Sequence, residues 1–220
     1  MFEKLKKSSK IMLDCKNKQI LILEHVLDDK FIEERKVLKS LGYIKWGTCE
    51  LTNFKKKIGI TLRVTDEKKY VEKRDSLSHD WSGLLEKIEC IPIFIPNTIT
   101  NKEEFLNEIN VQGFILSGGD NINDNPERDS TEKAIIEFGI RNKIPLFGIC
   151  RGMQVINKFF GGKLHVTNNS KHVNTDHQID LTKDFPFCDK KSITVNSYHN
   201  NIIEIKGVGK NLKSFAIHQN

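Results

Sequence analysis

From residue 58 onward the chain alternates between short runs that are apolar at nearly every position and longer stretches with apolar residues three and four apart. The first pattern predicts buried strands and the second amphipathic helices. Strands are expected over 58–64 (IGITLRV), 91–96 (IPIFIP, bounded by proline), 113–119 (GFILSGG) and 144–150 (IPLFGIC). Helices are expected over 76–89, where Leu77, Trp81, Leu84, Leu85 and Ile88 share a face, and over 101–109, 128–143 and the RGMQVINKFFGG stretch from Arg151. Strands too uniformly apolar to have a wet face, separated by helices, predict a parallel sheet covered on both sides. The ligand then belongs at the carboxyl ends of the strands.

The pattern differs at both ends. Residues 165–181 (HVTNNSKHVNTDHQIDL) are polar and rich in histidine, and 192–199, 201–207 and 213–220 read as short strands with tight polar turns. The last of these is expected to lack a partner. Near the start, 19–23 (QILIL) predicts a strand and 28–40 a helix with Asp28 or Asp29 at its cap and Gly42 as its stop. Charge sharpens the division. Residues 1–57 hold 14 Lys/Arg against 8 Asp/Glu, and the rest hold 21 of each sign, so the formal net charge of +6 belongs to the N-terminal stretch. A boundary is placed near 53–57, dividing a basic, partly helical extension, 1–56, from an α/β domain, 57–220. The lysines are mixed with acids and apolar residues, which favours a solvated segment over one that binds nucleic acid or lipid.

No apolar run approaches the roughly 18 residues of a membrane span, and the basic start is interrupted by Asp14 and Lys16 too early for a signal peptide. The five cysteines, Cys15, Cys49, Cys90, Cys150 and Cys188, are scattered and contain no C-x-x-C pair. An odd, scattered set argues against a disulfide framework or a thiolate metal site and for a reducing compartment, so a cytoplasmic protein is expected.

The chemistry concentrates at PLFGICRGMQ. A buried strand ends at Ile149, Cys150 follows, and Gly148 and Gly152 flank it before a helix begins. This is a strand–nucleophile–helix elbow with cysteine as the nucleophile. The first amides of such a helix favour a thiolate, and the backbone N–H of Arg151 is placed as an oxyanion donor. A second donor is expected from Gly118–Gly119 at the end of the neighbouring strand. The competing reading makes Cys150 a small buried residue and the glycines ordinary turns. Two glycine loops, each at a strand end, favour the nucleophile.

FGICRGMQVIN, ILSGGDN, the R-D-x-x-E of Arg128, Asp129 and Glu132, and VNSYH at 195–199 resemble the class I glutamine amidotransferase superfamily, in its gamma-glutamyl hydrolase branch, peptidase family C26. KIGITLRV and RDSLSHDW resemble the start of the same domain. The resemblance covers about residues 57–220. It implies a flavodoxin-like three-layer sandwich with a mostly parallel central sheet. It also implies a cysteine thioester mechanism, with Cys150 attacking a gamma-glutamyl carbonyl and the amides of Gly119 and Arg151 holding the oxyanion. Gly118, Gly119, Gln154, Ser197, Tyr198 and His199 would line the substrate pocket, with no metal or cofactor. Partners would be a small gamma-glutamyl substrate and a separate synthetase or pathway protein, the chain itself being a monomer or homodimer. Arg128 and Asp129 are expected to fix a loop and a helix start rather than touch substrate.

The family's base and its orienting acid lie in a W-H-P-E element. None occurs after Cys150, and Trp46 and Trp81 both precede it. The expectation is therefore a domain lacking its final strands and the His and Glu of the triad. His165, His172, His177, His199 and His218 are read as loop or hydrogen-bonding histidines rather than substitute bases or metal ligands. An impaired hydrolase is the leading reading, and a binding or accessory module, or a decayed gene product, the alternative.

Overall fold

The computed structural model describes residues 11–14, 20–23, 56–166, 173–182 and 190–218. The helix expected over 28–40, with Gly42, and also His172 lie outside them. Strands β1 (Ile11–Asp14) and β2 (Ile20–Leu23) are followed by β3 (Lys56–Thr61), β4 (Arg63–Asp66) and β5 (Lys73–Ser76). Helix α1 (His79–Lys87), β6 (Cys90–Ile95), α2 (Lys102–Ile109), β7 (Gly113–Leu116), α3 (Pro126–Arg141), β8 (Leu146–Ile149) and α4 (Arg151–Phe159) then alternate.

The central sheet runs in the order β13–β1–β2–β8–β7–β3–β6, where β13 is Leu212–Ser214. Strands β2, β8, β7, β3 and β6 are mutually parallel, and β1 runs antiparallel to β2 and β13. The strand expected at 19–23 thus takes its place beside β8. Alternation along β7 explains the two covered faces. Phe114 and Leu116 join Leu106, Ile135, Ile136, Leu146, Met153 and Ile156 in one core, built by α2, α3 and α4. Ile115 points the other way, to Ile60, Trp81, Leu85 and Ile149 under α1. The chain is therefore a flavodoxin-like α/β sandwich of three layers.

Local chemistry explains the helix limits. Ser78 accepts the Asp80 N–H at the start of α1, and Asn101 accepts the Glu104 N–H at the start of α2. Asn110 closes α2 in the left-handed conformation, and Pro126 opens α3, where a missing N–H costs nothing.

Several expectations change. The single strand over 58–64 divides at Leu62 into β3 and β4, and β4 leaves the sheet to form a hairpin with β5. The polar stretch 165–181 contains β9 (His165–Val166) and the nine-residue β10 (Val173–Leu181). Strand β11 (Ser192–Tyr198) pairs with β10, and β12 (Asn201–Ile202) pairs with β9. Residues 203–207 are not strand: a 3-10 turn occupies Ile205–Gly207. The final strand, expected without a partner, is two short strands that both have one. Strand β13 pairs with β1, and β14 (Ala216–Ile217) pairs with β10. Both pairings are antiparallel across long sequence separations, which a local pattern does not register.

Candidate active site

Strand β8 ends at Ile149 and α4 begins at Arg151, so Cys150 alone makes the turn. Its φ of 52° and ψ of −108° are strained for a residue with a side chain and persist only where the surroundings hold them. The surroundings do. A Cβ on Gly152 would fall 2.0 Å from the Leu116 carbonyl oxygen, so only glycine lets the first turn of α4 press this closely on β7. Cys150 is partly exposed, packed against the edge of the Ile60–Trp81 core rather than sealed in it. The Gln154 N–H donates to the Cys150 carbonyl at 3.2 Å, and the amides before it lie at the positive end of the helix.

The second glycine loop reaches the same point. A Cβ on Gly118 would sit 3.4 Å from the Cβ of Cys150 and 3.9 Å from its Sγ. Gly119 sits at φ 125°, and a Cβ on it would fall 2.9 Å from Arg128 Nη1 and 3.0 Å from the Cβ of Arg63. The loops expected to meet at the cysteine do meet there.

Beneath both loops lies a buried network of charges. Arg128 and Glu132 are fully buried and Arg151 is 1% exposed, so their pairing decides whether the site is tolerable at all. The Glu132 carboxylate accepts the Arg128 Nε–H at 3.0 Å and the Thr61 hydroxyl at 3.0 Å on one oxygen, and Arg151 Nη1 on the other. Arg151 Nη2 also donates to Asp129 at 2.5 Å. Arg128 Nη1 donates to Asp120 at 3.1 Å, and its Nη2 donates to the carbonyls of Ser117 and Gly118, each at 3.0 Å. Two guanidiniums thus face three carboxylates. Burial pushes the Asp120 carboxyl up, but the Val64 N–H and the Arg128 guanidinium outweigh it and hold the carboxyl below its ordinary range.

The remaining candidates are spread over two elements. Gln154 is buried in the first turns of α4. Ser197 and Tyr198 end β11, and His199 follows, with Ser197 and His199 buried. Just beyond them, Asn201 Nδ2 donates to Asn121 Oδ1 at 3.2 Å, which sets the end of β11 beside the loop that follows Gly119. His165, His177 and His218 each have a partner. His165, on the exposed β9, lies 3.7 Å from Glu204, just beyond β12. His177 and His218 stack with centroids 4.3 Å apart, and His218 Nδ1 lies 2.9 Å from the Gln178 carbonyl. Among the described residues no group of three His, Cys, Asp or Glu side chains is arranged to hold a metal ion.

Sequence reasoning missed how far the network extends. Thr61, inside the run IGITLRV, and Ser117, at the end of GFIL, are polar residues among apolar ones, and that was the available signal. Asn157 was also missed: it is fully buried on α4, where its side chain donates to the Gly207 carbonyl and accepts the Gly209 N–H, tying 207–209 to the helix.

A parallel sandwich that turns from strand to helix at a cysteine, beside a glycine loop from the next strand, is the architecture of the glutamine amidotransferase class. The chain belongs to the Peptidase C26 family, whose model matches residues 57–220. It is similar to the gamma-glutamyl-CDP-amidate hydrolase of Campylobacter jejuni, at 33% identity over 157 residues, 68% of this chain and 73% of that one. It is also similar to the glutamine-hydrolyzing GMP synthase of Bacillus cytotoxicus, at 38% identity over 77 residues, 35% of this chain but only 14% of that protein. A glutamine amidotransferase of Thermotoga maritima shares the fold, with a TM-score of 0.50 over 70% of this chain and 64% of that one at 12% identity. Membership gives the chain the glutamine-amidotransferase and hydrolase-like character of its family. No helix among the described residues is long and apolar enough to cross a membrane.

Proposed function

We propose that the chain cleaves a gamma-glutamyl amide through a thioester on Cys150. The observation that carries this reading is the strained, partly exposed cysteine at the strand-to-helix turn with Gly118 against its sulfur. The thiolate attacks the gamma-carbonyl carbon, and the N–H groups of Arg151 and Gly119 hold the oxyanion. Collapse expels the amine, which takes up a proton, and water then attacks the thioester to release glutamate and regenerate the thiol. Gly118, Gln154, Ser197, Tyr198 and His199 line the glutamyl pocket. Residues 57–220 carry the hydrolase domain's chemistry, and the extension 1–56 contributes strands β1 and β2 to its central sheet. The substrate is a small molecule, a reading supported by the name of the Campylobacter relative, and the GMP synthase relative points to a separate synthetase subunit as partner.

Within the 220 residues no W-H-P-E element supplies a base beside Cys150. Hydrolysis by these residues alone is therefore expected at least about 10²-fold below that of a relative with the full triad. Glutamate release from gamma-glutamyl amides, with Cys150→Ala as control, tests both claims. Slow release that falls to background in Cys150→Ala is expected. Release that survives the substitution removes the thioester mechanism, and turnover equal to that of a complete relative removes the missing base.

A further inference from the structure

We infer that Arg128 is a positioning residue that presets the direction of the Gly119 N–H, with Glu132 as the anchor that holds it in register with the Cys150 turn. The inference rests on the proposed thioester reading, because it concerns the oxyanion donor of that reaction. The argument begins with the peptide plane. The Gly118 carbonyl and the Gly119 N–H belong to one planar trans unit and point in opposite directions. Arg128 Nη2 donates to that carbonyl at 3.0 Å and to the preceding one, of Ser117, at 3.0 Å. A guanidinium gripping two successive carbonyls fixes the rotation of the 118–119 unit and so fixes where its N–H points. Glycine on both sides removes the steric barrier that would otherwise hold that unit, and Gly119 at φ 125° lies in a region other residues rarely enter. Something other than the chain's own sterics must select one orientation, and Arg128 does.

The guanidinium is itself held from three sides. Glu132 accepts its Nε–H, Asp120 accepts Nη1, and the two carbonyls accept Nη2. The other oxygen of Glu132 takes Arg151, the residue that supplies the second donor and begins α4. One buried carboxylate therefore ties both oxyanion loops together, and the Thr61 hydroxyl joins the end of β3 to the same oxygen that holds Arg128. A planar fork is needed for this. An ammonium keeps the charge but cannot satisfy two carboxylates and two carbonyls in fixed directions.

The test compares two reagents on Cys150, read by mass spectrometry of the Cys150 peptide in the full chain. Iodoacetamide reports how exposed and ionised the thiol is. The glutamine-shaped diazoketone 6-diazo-5-oxo-L-norleucine also needs its carbonyl oxygen seated on the oxyanion donors. Arg128→Lys keeps the buried charge, and it is expected to lower the ratio of diazoketone to iodoacetamide labelling at least about tenfold, since losing one such donor costs about 10²–10³ in rate. Asp120→Asn, at the partly exposed side of the network, is expected to lower the ratio about twofold to threefold, and it serves if Arg128→Lys does not fold. An unchanged ratio in either folded variant overturns the assignment. If the unsubstituted protein takes iodoacetamide on Cys150 but no diazoketone, the functional reading fails first and takes this inference with it.

Discussion

Between Lys56 and Phe159 the strands of the parallel sheet are linked by segments that return across its faces, so the inner strands β7 and β8 are covered on both sides, while the edge strand β6 leaves Ile91 and Phe94 exposed. Between His165 and Ile217 the strands pair antiparallel: β9 with β12, β10 with β11 and β14, and β13 with β1 at the edge of the central sheet. The cluster of Ile179, Val195 and Ala216 is the small core of the three-stranded sheet. The first region places residues by packing: Cys150 is strained, and Gly152 lies almost on the Leu116 carbonyl. The second places residues by hydrogen bonds that reach across the molecule, such as Asn201 to Asn121 and Asn157 to Gly209. Chemistry that needs atoms fixed to a fraction of an ångström belongs on the first. Groups that only complete a pocket can come from the second.

The sharpest way to break this contrast is at Gly152. Alanine there would set a methyl 2.0 Å from a backbone oxygen, which cannot yield as a flexible side chain would. Gly152→Ala is expected to cost about 3 kcal/mol or more in urea unfolding. Gly161→Ala is the control. Its φ of 79° is strained for alanine, but no atom lies within 4 Å, so about 1 kcal/mol is expected. Equal costs at the two glycines would mean that α4 is not packed as tightly as described.

A smaller effect separates the two cores. Ile136, fully buried between helices and sheet, is expected to cost about 4 kcal/mol when cut to alanine, and Ile179 about 2 kcal/mol, because a small three-stranded sheet collapses more readily onto a void. Urea midpoints with unchanged slope measure both. A larger loss at Ile179 would reverse the ranking of the two regions.

The same contrast explains what the sequence made legible. Runs such as GFIL and LFGI lie between helices and bury both faces, so composition alone announces them, and the Cys150 turn follows from glycines close by in the chain. Strand β10, VNTDHQIDL, carries too many polar residues to announce itself, and its partners are β11 and the distant β14. The break at Leu62 was invisible because an apolar residue stands at it. At the site, Cys150, Gly118 and Gly119 were readable from their spacing. The role of Glu132 was not, because only Arg128 is a local partner, one turn back on the same helix, while Thr61 and Arg151 come from β3 and α4 and no local pattern encodes their convergence.

The smallest effect expected lies at Asp120, next to Asn121, which bonds across to Asn201 in the second region. Its carboxylate accepts the Val64 N–H from the hairpin, Asn125 Nδ2 and Arg128; burial raises its pKa, but the Val64 N–H and Arg128 outweigh burial and hold the folded value below the unfolded one. A depressed carboxyl adds stability that is complete above the unfolded pKa and is lost as pH falls through the folded one. Asp120→Asn should therefore be less stable than the parent near neutrality and should match it more closely at acid pH. The difference is about 1 kcal/mol or less, because the carboxylate keeps some contact with water. Urea midpoints of the two proteins between pH 7 and pH 3 read this directly. A gap that widens toward acid would mean that Asp120 is not held as a carboxylate, and the glycine loop would then need another support against the pull of its own flexibility.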